Sequence, residues 1–187
     1  MILGHFRLNP IEVNAFIFGC PETKEAVLVD VGEWDTRLAE FVEAEGLKLT
    51  TIFITHDHGD HVDGLPEAAE HFGATVISGT EKPGGYQVDR VVGHGDEITV
   101  GNMTGKVVDT CGHTPVGLSL IFPGTVFSGD ALFSGSVGGT KSPENYELQL
   151  ENIRKNLFNL PAEYEVHVGH GPSTTIGIER EFNPFFV

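Results

Sequence analysis

The chain has 187 residues, of which 40% are hydrophobic and 20% are charged, a composition typical of a folded globular protein and unlike that of a disordered one. Its 11 basic and 27 acidic residues give a formal net charge of −16, which argues against nucleic acid or an anionic membrane as a partner. No apolar run approaches the ~18 residues of a membrane span and no signal peptide is evident, so we expect one domain, residues 1–187, in the cytoplasm.

The first half of the sequence begins with apolar runs typical of strands and continues with helices and strands in alternation. Asn9-Pro10 predicts a turn after the first run. Asp35 is suited to cap a helix N-terminus, and Gly46 is suited to end that helix. In chain order, the predicted elements are strands at 3–8, 13–18 and 26–31, a helix between Asp35 and Gly46, a strand at 50–55, a helix at 65–72 and a strand at 74–78.

The second half adds further strands and one longer helix. Ser142 is suited to cap that helix, and Pro143 is suited to its first position. The apolar stripe of the helix consists of Tyr146, Leu150, Ile153 and Leu157. The predicted strands are 98–100, 105–110, 118–122, 125–127 and 164–168. Strands with helices between them predict an α/β fold in which helices cover the outer faces of the sheets.

Four potential metal ligands lie within six residues directly after the predicted strand at 50–55: His56, His58, Asp60 and His61. Alternate residues of an extended stretch face the same way, so His56 and His58 would share one metal. A turn at Gly59 would aim Asp60 and His61 toward a second metal. Imidazole and carboxylate together suit zinc, iron or manganese rather than calcium or magnesium. Since such groups are costly to pack together without a cation, the cluster predicts a metal site.

Three later segments each add one donor at the end of a predicted strand, namely His113, Asp130 and His170. Glycine lies close to each of them, which permits tight turns and close backbone approach. With the cluster they total seven donors, the number needed for two metal ions if one carboxylate bridges them. Asp30, near the end of the strand at 26–31, is a candidate to hydrogen-bond the loop that carries the cluster.

The seven donors, in this order, resemble the metal ligands of the metallo-β-lactamase superfamily, and the resemblance covers essentially the whole chain. Within that superfamily the sequence is most similar to short glyoxalase II-like hydrolases. The segments that carry the similarity are Gly112–Gly117, Ser128–Phe133, Gly169–Pro172, Thr174–Gly177 and Asn183–Phe185. The resemblance implies an αββα sandwich, with two sheets face to face, helices outside and a metal site along one sheet edge.

The resemblance also implies a role for each donor. One metal would be held by His56, His58 and His113, and the other by Asp60, His61 and His170, with Asp130 bridging the two. Zinc is the expected metal, with iron or manganese as alternatives. Two such cations would lower the pKa of a shared water and hold it as hydroxide. The hydroxide would attack the carbonyl of a small-molecule thioester of the hydroxyacylglutathione type, oriented by Asp60 as the catalytic residue.

The sequence departs from the family's patterns at two points. True β-lactamases generally place a cysteine where this chain has Asp130, so we expect no antibiotic hydrolysis. Glyoxalase II proper has a C-terminal helical domain that contacts glutathione, and we expect that domain to be absent from a chain that ends at Val187. The segment after Asp130 contains Lys141 but no basic cluster that would bind the carboxylates of glutathione.

Two other function classes stay open. The same motifs also resemble an iron-dependent persulfide dioxygenase, an oxidoreductase that would use only His56, His113 and Asp130 around one iron. A metal-binding domain without enzymatic activity is the remaining hypothesis, which seven donors at strand ends disfavour. The sequence leaves the oligomeric state open.

Overall fold

The computed structural model describes residues 1–9 and 11–187, so the predicted turn at Asn9-Pro10 lies partly outside the described residues. The strands are β1 Ile2–Leu8, β2 Val13–Gly19, β3 Glu25–Val29, β4 Lys48–Ile54, β5 Thr75–Ser78, β6 Arg90–Val91, β7 Glu97–Val100, β8 Met103–Asp109, β9 Leu118–Phe122, β10 Thr125–Gly129, β11 Leu132–Phe133, β12 Ser136–Val137, β13 Glu165–Val168 and β14 Thr174–Thr175. The α-helices are α1 Thr36–Ala44, α2 Gly59–Val62, α3 Leu65–Phe72, α4 Pro143–Asn156 and α5 Ile176–Phe182.

Two six-stranded mixed sheets contain most of these strands. Sheet A has the order β1-β2-β3-β4-β5-β6, antiparallel from β1 to β3 and parallel from β3 to β6. Sheet B has the order β14-β13-β10-β9-β8-β7; its β10–β13 pair is parallel and its other pairs are antiparallel. Strands β11 and β12 form a separate antiparallel ribbon between β10 and α4.

Three hydrophobic clusters divide the molecule into four layers. The cluster between the sheets contains the rings of Phe16, Phe18, Phe53, Phe122 and Phe127. A second cluster packs α1 and α3 on the outer face of sheet A. A third packs α4 on the outer face of sheet B. This order of layers confirms the predicted αββα sandwich.

Strand β2 shows how the sequence produces two buried faces. All of its residues are buried. Ala15 and Ile17 pack toward α1 and α3, whereas Phe16 and Phe18 pack between the sheets, because successive side chains of a strand point to opposite faces. Asn14 lies on the same face of the strand as Phe16 and is only 2% exposed. Its polar groups therefore need partners inside the protein.

Helix α4 connects the parallel strands β10 and β13 and begins where the sequence predicts. Ser142 Oγ accepts a hydrogen bond from the Asn145 backbone N–H, and Pro143 occupies the first turn. Leu150 and Ile153, from the predicted stripe, are buried against sheet B. Because β10 and β13 are parallel neighbours, their carboxyl ends lie at the same edge of the sheet.

Several short elements are missing from the sequence-based prediction. Helix α2 is a single turn that begins with Gly59, so neither its length nor its first residue marks it as helical. Helix α5 is capped by Thr175, but Gly177 lowers its helix propensity. Strands β6, β11, β12 and β14 have two residues each, too few for an alternating pattern. Within the described residues, no helix has both the length and the apolar character to cross a membrane.

Replacement of Phe127 tests the core between the sheets. Phe127 is 1% exposed, and its ring centroid lies 5.6 Å from those of Phe16 and Phe18. Because the deletion would leave a cavity between two sheets, we expect Phe127→Ala to lower the free energy of unfolding by about 3–5 kcal/mol in a denaturant titration. The control, Phe182→Ala, removes the same atoms from a ring that is 66% exposed and should change it by less than about 0.5 kcal/mol. Equal losses would contradict this core.

Candidate metal centre

The seven predicted donors lie together at one edge of the sandwich, on segments that follow β4, β8, β10 and β13. They form three overlapping groups in which the potential ligand atoms lie within 4.8 Å of one another. These groups are His56-His58-His113, His56-His61-Asp130 and Asp60-His61-His170. The structure thus brings together all the residues that the sequence predicts for the site.

The three-histidine group (His56, His58 and His113) directs three ring nitrogens toward one point. His58 Nδ1 lies 3.2 Å from His56 Nε2 and 3.0 Å from His113 Nε2. The other nitrogens of two rings already have partners: His56 Nδ1 lies 3.0 Å from Thr55 Oγ1, and His113 Nδ1 donates to the Gly139 carbonyl at 2.6 Å. Because a neutral imidazole carries one proton, the Nε2 lone pairs of His56 and His113 face inward.

The Asp60 group (Asp60, His61 and His170) lies beside the three-histidine group. Asp60 Oδ2 is 3.1 Å from His170 Nε2 and 3.7 Å from His61 Nε2. Asp60 and His61 belong to α2, which begins directly after the extended backbone of His58 at φ −71° and ψ 143°. The expected change of direction at Gly59 is therefore confirmed, and it takes the form of a helical turn.

Asp130 lies between the two groups and contacts both. Its Oδ1 is 3.3 Å from His61 Nε2, and its Oδ2 is 3.5 Å from His113 Nε2 and 3.6 Å from His170 Nε2. The same Oδ2 is 4.0 Å from His56 Nε2. A single carboxylate, 8% exposed, is thus shared by both donor groups.

The donor set fits divalent metal ions. In the described part of the chain, His61 Nε2 and Asp130 Oδ1 are buried without a hydrogen-bond partner, which is costly unless something else satisfies them. Ligand atoms at 2.0–2.1 Å from a tetrahedral zinc stand about 3.3–3.4 Å apart, and the donor separations quoted above bracket that value. Convergent lone pairs and carboxylate oxygens at this spacing are the groups that a cation stabilises.

The surroundings shift the pKa values of the histidines in the two groups in opposite directions. Burial lowers the pKa of His56 well below its usual value, and it also lowers the pKa of His58, which favours the neutral form of both rings. Burial opposes the charge on His61, but the carboxylates of Asp30 and Asp130 outweigh it and raise the pKa of His61 to about 10. Burial opposes the charge on Asp130 as well, and the neighbouring His61 ring nevertheless lowers the pKa of Asp130 to about 2. The pocket therefore favours positive charge beside Asp130.

Asp30 holds the loop that carries the histidine cluster, as the sequence suggested. Its Oδ1 accepts a hydrogen bond from the Thr55 backbone N–H, and its Oδ2 accepts from Thr55 Oγ1 and His61 Nδ1, each at 2.8 Å. These bonds orient His61 with Nε2 toward the centre, and Thr55 Oγ1 in turn faces His56 Nδ1. The sequence analysis did not single out Thr55 or Gly139. Thr55 could have been noticed as a polar residue at the end of an apolar strand, whereas a backbone carbonyl such as that of Gly139 leaves no signal in the sequence.

Gly169 explains why glycine stands beside His170. A Cβ built on Gly169 would overlap Asp130 Oδ1, so any side chain here would displace the shared carboxylate. Gly32 allows a similar approach to the backbone of Asp60. The close approach that the flanking glycines predict is therefore used at Gly169, and Gly32, which the sequence did not single out, adds a second case.

The comparisons of the sequence with known proteins agree on one family. A family model described as "Metallo-beta-lactamase superfamily" matches residues 8–170. A hydroxyacylglutathione hydrolase of Idiomarina loihiensis is 37% identical over 150 residues, which cover 78% of this chain and 56% of that protein. The hydroxyacylglutathione hydrolase GloC of Haemophilus influenzae is 29% identical over 206 residues, which cover 96% of this chain and 97% of that protein. The chain thus spans little more than half of the first relative and nearly all of the second.

Solved structures agree with the fold. The BLEG-1 B3 metallo-beta-lactamase matches with a TM-score of 0.90 at 30% identity, covering 99% of each chain. ETHE1 from Myxococcus xanthus matches with a TM-score of 0.88 at 31% identity, covering 98% of this chain and 84% of that one. TTHA1623, solved in a di-iron-bound form, matches with a TM-score of 0.81 at 29% identity, covering 97% and 99%.

Substitution of Asp30 tests the support of the site without removing a donor. The Asp30 carboxylate now accepts hydrogen bonds from the Thr55 backbone N–H, Thr55 Oγ1 and His61 Nδ1. In Asp30→Asn, the amide N–H group would face at least one of these donors, and that hydrogen bond would be lost. We expect metal affinity to fall roughly 10- to 100-fold, measured as bound metal at buffered free metal concentrations. The control is Asp57→Asn, the same chemical change at an exposed residue beside the cluster, which should bind metal as the wild type does. Wild-type affinity in Asp30→Asn would contradict this role.

Proposed function

The chain belongs to the metallo-beta-lactamase superfamily, and we propose that it is a hydrolase that uses two metal ions to cleave a small-molecule thioester of the hydroxyacylglutathione type. The observation that carries the proposal is the position of Asp130, whose carboxylate lies within 3.3 to 3.6 Å of histidines from both donor groups. The two relatives named hydroxyacylglutathione hydrolase support the substrate class. We also propose that residues 1–187 form a single domain.

Each donor has a defined task in this proposal. The three-histidine group would hold one ion, the Asp60 group would hold the other, and Asp130 would be shared by both. When bound, two divalent ions supply an activated water and a positive charge for the carbonyl oxygen of the substrate. Asp60, whose Oδ2 lies 3.1 Å from His170 Nε2, would belong to the second ion's donors, and its carboxylate would orient the attacking water. Zinc is the proposed metal, and the di-iron relative supports iron as the alternative.

The proposal concerns thioester cleavage and does not require glutathione as the thiol. Lys141 is exposed and lies two positions after Gly139, whose carbonyl orients His113. A single lysine does not supply the paired cationic contacts that the two carboxylates of glutathione would need. The net charge of −16 also favours a substrate with little negative charge.

A persulfide dioxygenase is the second candidate, and the similarity to ETHE1 favours it. His56, His113 and Asp130 form the two-histidine, one-carboxylate set typical of non-haem iron oxygenases. Asp130 Oδ2 lies 3.5 Å from His113 Nε2 and 4.0 Å from His56 Nε2. In that chemistry one iron suffices, and the Asp60 group would hold no metal.

Removal of His170 separates the two candidates. In the hydrolase, His170 is one of three residues that hold the second ion, so His170→Ala should weaken that ion by at least roughly 10- to 100-fold and lose most thioesterase activity. In the dioxygenase, the variant should keep its iron and most of its oxygen uptake with a glutathione persulfide. Metal content, thioester cleavage and oxygen consumption are measured in parallel. Full thioesterase activity of His170→Ala at limiting free metal would exclude the proposed function.

Three controls accompany this experiment. Wild-type protein should carry about two ions per chain and lose activity to a chelator. His71→Ala removes an exposed histidine of α3 and should behave as the wild type. A β-lactam offered as a further substrate tests the expectation that Asp130 excludes antibiotic hydrolysis, a useful arm given the similarity to BLEG-1.

Asp130→Ala should be the most damaging single change among the seven donors. Asp130 is the carboxylate shared by both groups, and its loss would leave two cations facing each other without compensation. We expect the variant to bind the least metal of the seven alanine variants at a fixed, buffered free zinc concentration. Retention of both ions at wild-type affinity would contradict the bridging role.

A further inference from the structure

We propose that two buried side-chain amides outside the donor set, Gln149 and Asn14, are positioning residues that control different parts of the metal centre. Gln149 would control His113 and Asp130, and Asn14 would control His170. The inference rests on the proposed two-ion function, which the experiment below tests separately.

Gln149 ties helix α4 to the two ends of the β11–β12 ribbon. Its side chain has no exposed surface, and its Nε2 donates to the carbonyls of Ala131 at 2.9 Å and Gly138 at 3.2 Å. Ala131 directly follows Asp130, and Gly138 directly precedes Gly139. The Gln149 amide group therefore fixes the backbone at both ends of the ribbon, next to Asp130 at one end and next to Gly139, the partner of His113, at the other.

The same glutamine acts on His113 from two directions. Gly139, which follows the Gly138 carbonyl, accepts the hydrogen bond that orients the His113 ring, at 2.6 Å. Gly112, which precedes His113, has φ +140°, and a Cβ built on it would overlap the side chain of Gln149. The ring partner of His113 thus follows a carbonyl that Gln149 binds, and the backbone before His113 packs closely against the same residue.

Asn14 makes the corresponding contacts around His170. Its Nδ2 donates to the carbonyls of Val168 and Gly171, each at 2.9 Å, and its backbone N–H donates to the Gly169 carbonyl at 2.7 Å. These three carbonyls surround His170 in the sequence. A strand of sheet A therefore fixes the turn that follows β13 of sheet B.

The orientation of the Asn14 amide is itself determined. His5 Nε2 lies 2.8 Å from Asn14 Oδ1, so the ring N–H donates there and leaves Nδ2 to the two carbonyls. The hydrogen bonds of this side chain go to residues 168–171, whereas those of Gln149 go to Ala131 and Gly138. The two amides consequently act on separate segments, and each serves as a control for the other.

Space filling alone does not account for Gln149. In the described part of the chain, its Oε1 is buried without a hydrogen-bond partner, which is unfavourable. Methionine has a similar size and shape and would remove that unpaired oxygen. If Gln149 served only to fill space, Gln149→Met would be neutral or stabilising and metal binding would not change.

The experiment uses zinc alone as the probe and the full chain carrying isotope-labelled histidine. Zinc is titrated into the wild type, Gln149→Met and Asn14→Leu, and each ring nitrogen is followed by NMR. We expect zinc affinity reported by His113 to fall roughly 10-fold in Gln149→Met, and that reported by His170 to fall clearly less, since only the shared Asp130 connects Gln149 to that position. Asn14→Leu should give the reverse. Thermal melting of the zinc-free proteins shows whether each variant is folded.

Further variants make the outcome decisive. Gln149→Glu and Asn14→Asp keep the size but remove the N–H donors, and they replace any apolar variant that fails to fold. Glu151→Met, on the exposed side of α4, is the matched control and should bind as the wild type does. Equal effects on both histidines, or none, in a wild type with two zinc positions would overturn this inference alone. A wild type with one zinc position would overturn the proposed function and, with it, this inference.

Discussion

The ring nitrogens of His56, His58 and His113 meet with separations of 3.0 to 3.2 Å, although two of the rings have already committed their protons elsewhere. A proton on His58 Nδ1 can be donated fully to only one of the two facing Nε2 atoms, so at least one lone pair is left without a donor. A cation at the centre would satisfy these lone pairs, and without one the rings depend on external restraint. Much of the sandwich supplies that restraint: strand ends from both sheets converge here, and hydrogen bonds behind the rings fix their orientation.

The two donor groups differ in chemical character. The three-histidine group offers neutral rings, whose affinity for a metal comes from their nitrogen lone pairs. The Asp60 group adds a carboxylate, and its His61 is held between Asp30 and Asp130. The second position therefore depends more on charge than the first.

The sequence was most informative where the chemistry is local. The alternation of His56 and His58 and the turn at Gly59 correctly separated the first two histidines from Asp60. His113, Asp130 and His170 could be found because each follows a predicted strand. Asn14 could not be assigned, because the carbonyls to which its amide group donates lie more than 150 positions away in the chain.

Gln149 could have been noticed in the sequence as a polar residue on the apolar face of α4, but the apolar residues of that face drew the attention. It lies three positions after Tyr146 and directly before Leu150, on the buried side of the helix, so a polar residue interrupts an apolar face. A buried polar residue at such a position needs a partner, but periodicity does not identify that partner. The single turn of α2 and the two-residue strands left no pattern, because their geometry is imposed by the surrounding tertiary structure.

The crowding of His56, His58, Asp60 and His61 into six residues has a consequence for the unfolded state. That segment stays a chelator when the protein is denatured, because its donors remain close through the covalent chain alone. An ion that also binds the unfolded chain stabilises the native state by less than its native affinity implies. His113, Asp130 and His170 join the site only on folding. These three distant donors, and not the cluster that dominates the sequence, therefore determine how much metal contributes to the thermodynamic stability of the fold.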